Sequence, residues 1–193
     1  IARSPLAAFD LEFVSADRLV PLLALVQVAW VDDHRLLDAP AREIVAAGAQ
    51  IRLIDPLAGD TAPSVRALAA HPRVLAHAPR QDLALLASRF GAELPGLVDT
   101  QLMAAFAGMG DQIGYAALAN ELLGTSLGKD QQWTTWDKRP LTDAQLAYAD
   151  ADVRYLPAIY ALLAERIGPR LAWVRAETAE IAADALAAAR VTP

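Results

Sequence analysis

Two acids two residues apart, Asp10 and Glu12, interrupt an otherwise apolar stretch from Ala7 to Val14. In an extended strand, residues i and i+2 leave the same face. The two carboxylates therefore project together, while Phe9, Leu11 and Phe13 turn the other way into a core. Like charges held side by side repel unless cations bind between them, so the chemistry open to this pair is cation binding. Spacing alone decides little: with 23 acidic residues in 193 positions, roughly three acid-x-acid pairs arise by chance. The apolar frame singles this pair out, because burying unpaired acids is costly. Asp82 follows a strand and opens a helical pattern, where a helix-start acid favoured by the macrodipole is the plain alternative. His77, at the end of that strand, reads by default as a hydrogen-bonded core histidine. Tyr148 and Asp152 are four apart on a long helix and share a face, as many surface neighbours do.

The segment from Lys129 to Arg139 contains both lysines of the chain, Arg139 and two tryptophans, Trp133 and Trp136. Cations can meet phosphates while an aromatic ring stacks on a base. The alternative is that a tryptophan plugs the core beside the long helix. His77, Lys129, Trp136 and Arg139 are the candidate substrate-binding residues.

These side chains need a scaffold, and the apolar patterning supplies one. Strands are expected at Pro5–Phe13, Leu22–Trp30, Ile51–Ile54, Arg73–His77 and around Leu97–Val98. A helix is expected after Pro79, and another is capped by Thr100 and runs to about Ala107. A third runs from Ile113 to Leu123 and stops at Gly124. Thr142 and Gln145 form a capping-box pattern; the helix behind them should kink at Pro157 and end near Gly168–Pro169. The tail from Leu171 to Ala189 reads as an Ala-rich helix. Strands first, then strands mixed with helices, give an α/β fold: a mixed sheet flanked by α-helices.

At 193 residues one domain with its own core is expected. No apolar run approaches the roughly 20 residues that span a bilayer, and no secretion leader is visible, although the first residue is Ile. The absence of cysteine excludes disulfides, thiolate metal sites and a cysteine nucleophile, and a cytoplasmic location fits. A net charge of −6 argues against gripping nucleic acid by charge alone, whereas bound divalent cations would supply positive charge locally.

The order of the motifs is more specific than any one of them. Phe9-Asp-Leu-Glu-Phe-Val14, Ile54-Asp-Pro-Leu57, His77-Ala-Pro-Arg-Gln-Asp82, Asp99-Thr-Gln-Leu102, Ile113-Gly-Tyr-Ala-Ala-Leu118, Arg139-Pro-Leu-Thr142 and Tyr148-Ala-Asp-Ala-Asp152-Val-Arg-Tyr-Leu156 follow one another along the chain. Together they resemble the ribonuclease D family, within the DEDDy superfamily of 3′→5′ exonucleases that use four acids and a tyrosine. The resemblance runs from about Leu6 to Leu163.

It implies a ribonuclease H-like mixed β-sheet and a catalytic set of Asp10, Glu12, Asp82, Tyr148 and Asp152. Asp10 would bridge two divalent ions, Glu12 and Asp152 would complete one site, Asp82 would support the other, and Tyr148 would orient the attacking water. Hard oxygen ligands favour Mg²⁺ or Mn²⁺. The implied reaction releases nucleoside 5′-monophosphates from an RNA with a single-stranded 3′ end, a transfer RNA precursor being one candidate. No membrane and no protein partner is expected. Two other readings stay open: a 3′→5′ DNA exonuclease of the same superfamily, and an inactive relative serving as an RNA-binding module.

The exonuclease domain is expected at 1–168, with 169–193 as a helical extension or linker. Family members join the second and third strands tightly, so 32–49 reads as an insertion. Thr135 stands where an acid or serine is usual. Asp150 replaces a small residue and, on a helix, points away from Tyr148 and Asp152.

Overall fold

The computed structural model describes residues 3–15, 18, 20–32, 40, 43, 48–128 and 134–191. Most of the expected insertion at 32–49, together with Lys129 and Trp133, lies outside these residues.

Near-continuous apolar runs form the inner strands, covered on both faces. β1 (Leu6–Val14) and β2 (Leu22–Val31) pair antiparallel, with a register shift between Glu12 and Phe13. β3 (Gln50–Ile54) extends that antiparallel side, whereas β4 (Val74–Ala76) and β5 (Leu97–Asp99) run parallel to β1 on the other. The order is β3-β2-β1-β4-β5, so β1 lies at the centre, where antiparallel pairing gives way to parallel. This is the mixed α/β sheet that the patterning implies.

Helices cover both faces. On one side α1 (Ala62–Ala69), α2 (Arg80–Phe90) and α7 (Leu171–Val191) pack against Ala7, Phe9, Val28 and Val74. On the other, α3 (Thr100–Phe106), α4 (Tyr115–Leu123) and α6 (Leu156–Ile167) enclose Ala8, Ala29, Leu75 and Val98. α5 (Asp143–Arg154) crosses β1, β2 and β3 on that same side. α7 lies along α2 and β5 and buries Val174, Thr178 and Ala185. Among the described residues no helix is long and apolar enough to cross a membrane.

The local signals explain most element ends. Gly124 closes α4 in the left-handed conformation, which glycine adopts without steric cost. Thr142 and Gln145 form the full reciprocal capping box at the start of α5. Three details differ from the sequence expectations. The cap of α3 is Asp99, whose side chain accepts the Gln101 N–H, and not Thr100; the Thr100 hydroxyl instead bonds the Ala76 carbonyl. The long C-terminal helix is broken at Tyr155, not merely kinked, because Pro157 has no N–H for the Val153 carbonyl and its ring would clash there. Pro157 sits instead in the first turn of α6, where the missing donor is harmless. α1 was not anticipated: it is short, carries a proline in its first turn and buries only Val65 and Leu68.

Candidate metal centre

The carboxyl-terminal half of β1, the turn after β4 and the carboxyl-terminal half of α5 converge at one end of the sheet. β1 delivers Asp10 and Glu12 from the same face, as alternation requires, and α5 lays Asp152 over them. One carboxylate oxygen from each of Asp10, Glu12 and Asp152 falls within 4.8 Å of the others. Asp82 is outside that set but near enough for its charge to act on Glu12 and to be acted on by Asp10. It occupies the first turn of α2. The turn before that helix is held by Asp99: its carboxylate accepts the N–H of Ala78 at 3.0 Å, and Ala78 adopts a positive φ of 51°. That conformation is unusual for a residue with a Cβ, and the side-chain bond stabilises it.

The electrostatics are one-sided. Burial raises the Asp10 carboxyl to about 7 and Asp152 to about 8, the latter also repelled by Asp10. Glu12 is raised to about 9 by burial and by repulsion from Asp10, Asp152 and Asp82. Asp82 is pushed well above the usual carboxylate range, first by burial and then by Asp10. Among the described residues no lysine or arginine forms an ion pair with any of the four. Four recessed carboxyls without a protein cation fit hard divalent ions, which bind through oxygen ligands. A second observation agrees: Gln27 stands directly opposite Asp10 in the β1–β2 register, is fully buried, and neither its amide nitrogen nor its oxygen has a partner among the described residues.

Tyr148 joins the cluster through a hydrogen bond between its hydroxyl and Asp152. Burial and the surrounding acids push its phenol above the usual tyrosine range. Behind it lies Trp136, 2% exposed, with ring centroids 6.1 Å apart. Trp136 packs among Ala24, Leu25 and Ala149, so it plugs the core and offers no face on which a base could stack.

The other two described substrate-side candidates are also engaged within the protein. His77 bonds the Thr100 hydroxyl at 2.9 Å and the Ile113 carbonyl at 3.0 Å through its two ring nitrogens. A carbonyl only accepts, so Nε2 donates to Ile113; burial holds the imidazole pKa below its ordinary value. The guanidinium of Arg139 donates to both Asp55 oxygens and to the carbonyls of Ala24, Trp136 and Lys138. Those bonds take all five of its N–H groups, which leaves none for a phosphate. His77 and Arg139 thus shape the walls of the site from behind. Asp150 pairs with Arg154 on the outer side of α5, away from the cluster.

Gln27, Asp99 and Tyr115 were not singled out by sequence reasoning. Gln27 and Asp99 are buried polar residues; Gln27 interrupts an apolar strand, and Asp99 and Tyr115 stand in motifs of the family resemblance without an assigned role. An apolar groove of about 310 Å³ was missed as well. Phe13, Val20, Pro21, Gln81 and Leu85 help to line it; Phe13 follows Glu12 in the chain, and Gln81 precedes Asp82.

Comparison with known proteins is consistent along the chain. A family model for a 3′-5′ exonuclease matches residues 1–168. Ribonuclease D of Gluconacetobacter diazotrophicus is 37% identical over 181 residues, 93% of this chain and 42% of that protein. Ribonuclease D of Acidiphilium cryptum is 37% identical over 186 residues, 94% of this chain and 43% of that protein. The crystal structure of Escherichia coli RNase D, an exoribonuclease involved in structured RNA processing, superposes with a TM-score of 0.80 at 32% identity. That match covers 96% of this chain and 46% of that one. The chain therefore spans less than half the length of the curated relatives it matches.

Proposed function

The chain belongs to the 3′-5′ exonuclease family, and on that premise we propose that it hydrolyses RNA from the 3′ end, releasing nucleoside 5′-monophosphates. The observation that carries this reading is the meeting of Asp10, Glu12 and Asp152 within 4.8 Å, beside Asp82 and Tyr148 and with no ion-paired lysine or arginine among the described residues. The similarity to ribonuclease D proteins over most of the chain favours RNA over DNA.

Asp10, Glu12, Asp82 and Asp152 are the residues that would hold two divalent ions, Mg²⁺ or Mn²⁺. Such ions supply a nucleophilic hydroxide at neutral pH and offset charge on the leaving 3′-oxygen. The chain's own groups do the rest. Tyr148, held on Asp152 and kept protonated by burial and neighbouring acids, orients the attacking water. Lys129 remains a candidate for a phosphate contact. With a net charge of −6, RNA affinity rests on the metals and is salt-sensitive. Structured RNAs such as transfer RNA precursors are the proposed natural class, and the cytoplasm the proposed location.

The test is degradation of 5′-labelled single-stranded RNA and DNA with Mg²⁺, Mn²⁺ or EDTA, beside Asp10→Asn. A metal-dependent ladder shortening from the 3′ end of RNA, lost in the variant, is expected. Shortening confined to DNA would move the protein to a DNA exonuclease. RNA binding without degradation under either metal would make it a binding module.

A further inference from the structure

α5 and α6 follow each other in the chain, yet they are not one helix. In an uninterrupted helix the N–H of Tyr155 would bond the carbonyl of Ala151, four residues back. Here a third group stands between them. The hydroxyl of Tyr115, the first residue of α4, donates to the Ala151 carbonyl at 2.8 Å and accepts from the Tyr155 N–H at 3.3 Å. A side chain inserted into the hydrogen-bond ladder is a recognised cause of a helix break. Pro157 makes a break necessary in this region; the hydroxyl bonds both backbone groups that the break releases, and the Tyr155 N–H also reaches the Val153 carbonyl.

The residue after Ala151 is Asp152. Whatever fixes the Ala151 carbonyl therefore fixes the turn from which that carboxylate projects. Tyr115 is well placed for such a role, because its ring lies 5.8 Å from that of His77. His77 is itself tied by its two nitrogens to Thr100 on α3 and to Ile113 just ahead of α4. The hydroxyl is thus braced from behind against the parallel half of the sheet, the half that also carries Asp82.

We propose that Tyr115 is a positioning residue for Asp152: its hydroxyl, spliced between Ala151 and Tyr155, holds the end of α5 where the Asp152 carboxylate joins Asp10 and Glu12. This inference rests on the reading of the acidic cluster as a metal centre. It goes beyond that reading by assigning the geometry of one ligand to a side chain that touches neither metal nor substrate. Groups behind a ligand typically change metal affinity by about 10–100-fold when removed.

The test is Tyr115→Phe, which removes one oxygen and keeps the ring. Binding of Mn²⁺ alone to the metal-free protein, followed by the loss of free-ion EPR signal, is expected to weaken about 10-fold. Melting in EDTA should move little, since the two released backbone groups can then bond each other. In an Asp152→Asn background the same change is expected to weaken Mn²⁺ binding no further, because the hydroxyl acts through that carboxylate. Equal Mn²⁺ affinity in Tyr115→Phe and the parent, or a loss that adds fully to that of Asp152→Asn, overturns the proposal. Hydrogen exchange on the unaltered protein gives a check that needs no variant. Coupling is reciprocal, so Mg²⁺ must slow exchange of the Tyr155 amide, and an unchanged rate also overturns it. Absence of Mn²⁺ binding by the parent protein would sink the metal reading itself and this inference with it, a result distinct from equal binding by parent and variant.

Discussion

Arg139 and Asp55 form a two-pronged pair across 84 positions of chain, with Nε to Oδ2 at 2.6 Å and Nη2 to Oδ1 at 2.7 Å. The same guanidinium bonds the carbonyl of Ala24 on β2 and that of Trp136. It ties the antiparallel half of the sheet to the segment that carries Trp136 against Tyr148. The pair lowers the Asp55 carboxyl through its hydrogen bond to Arg139 and raises Arg139 in turn.

A brace and a phosphate-binding cation respond differently to the same substitution. Arg139→Lys keeps the charge and loses the planar fork. As a brace, that variant is expected to lose about 1–3 kcal/mol in urea unfolding, nearly as much as Arg139→Ala, because the backbone carbonyls and Asp55 lose their donors. Full stability in Arg139→Lys, with a selective loss of RNA affinity, would return Arg139 to the substrate.

The pH dependence has a definite sign. Asp10, Asp152 and Glu12 sit near 7, 8 and 9 in the folded, metal-free protein, against ordinary unfolded values of about 4. The folded state then holds protons that the unfolded state has released, so its stability falls as pH rises. This contribution is complete below about pH 4 and is lost progressively as pH rises from there to about 9. In EDTA the melting temperature is expected to decline over that range, and Mg²⁺ is expected to restore it by displacing protons. Calorimetric titrations in buffers of different ionisation heat should register proton release at pH 7. Melting in EDTA that rises from pH 5 to 9 would show that these acids are not held protonated.

Gln27 gives a test at one buried amide. A fully buried side chain without partners destabilises the fold by about 1–3 kcal/mol relative to an apolar group of similar shape. Gln27→Met is accordingly expected to raise the melting temperature in EDTA. A clear fall would mean that the amide already has partners in the metal-free protein, most simply ordered water.

Much of this architecture is legible in the sequence because apolar patterning and caps act locally. The alternation around Asp10 and Glu12, the capping box at Thr142 and the stop at Gly124 each depend on a few neighbouring residues. The order of motifs brings Asp82 and Asp152 to the same site, which neither residue's own surroundings reveal. What stays hidden is set by distant partners. Arg139 reads as a free cation until Asp55 and Ala24 are placed beside it. Trp136 reads equally as a stacking platform or a core plug until α5 covers it. Tyr115 stands in the Ile113–Leu118 motif with no role attached, because its hydroxyl matters only once α5 has ended where it does. α1 escaped notice for the opposite reason: its local signal is too short to show a period.

The central place of β1 has a kinetic consequence. β1 meets β2 through a short connection, so Asp10 and Glu12 are brought side by side early, as soon as that hairpin pairs. Asp152 arrives only when α5 docks from far along the chain, and a cation has no complete ligand set until then. Interactions absent from the transition state slow unfolding and leave folding almost untouched. Stopped-flow measurements are therefore expected to show Mg²⁺ acting on the unfolding limb, while lower pH, by quieting the Asp10–Glu12 repulsion, speeds the folding limb.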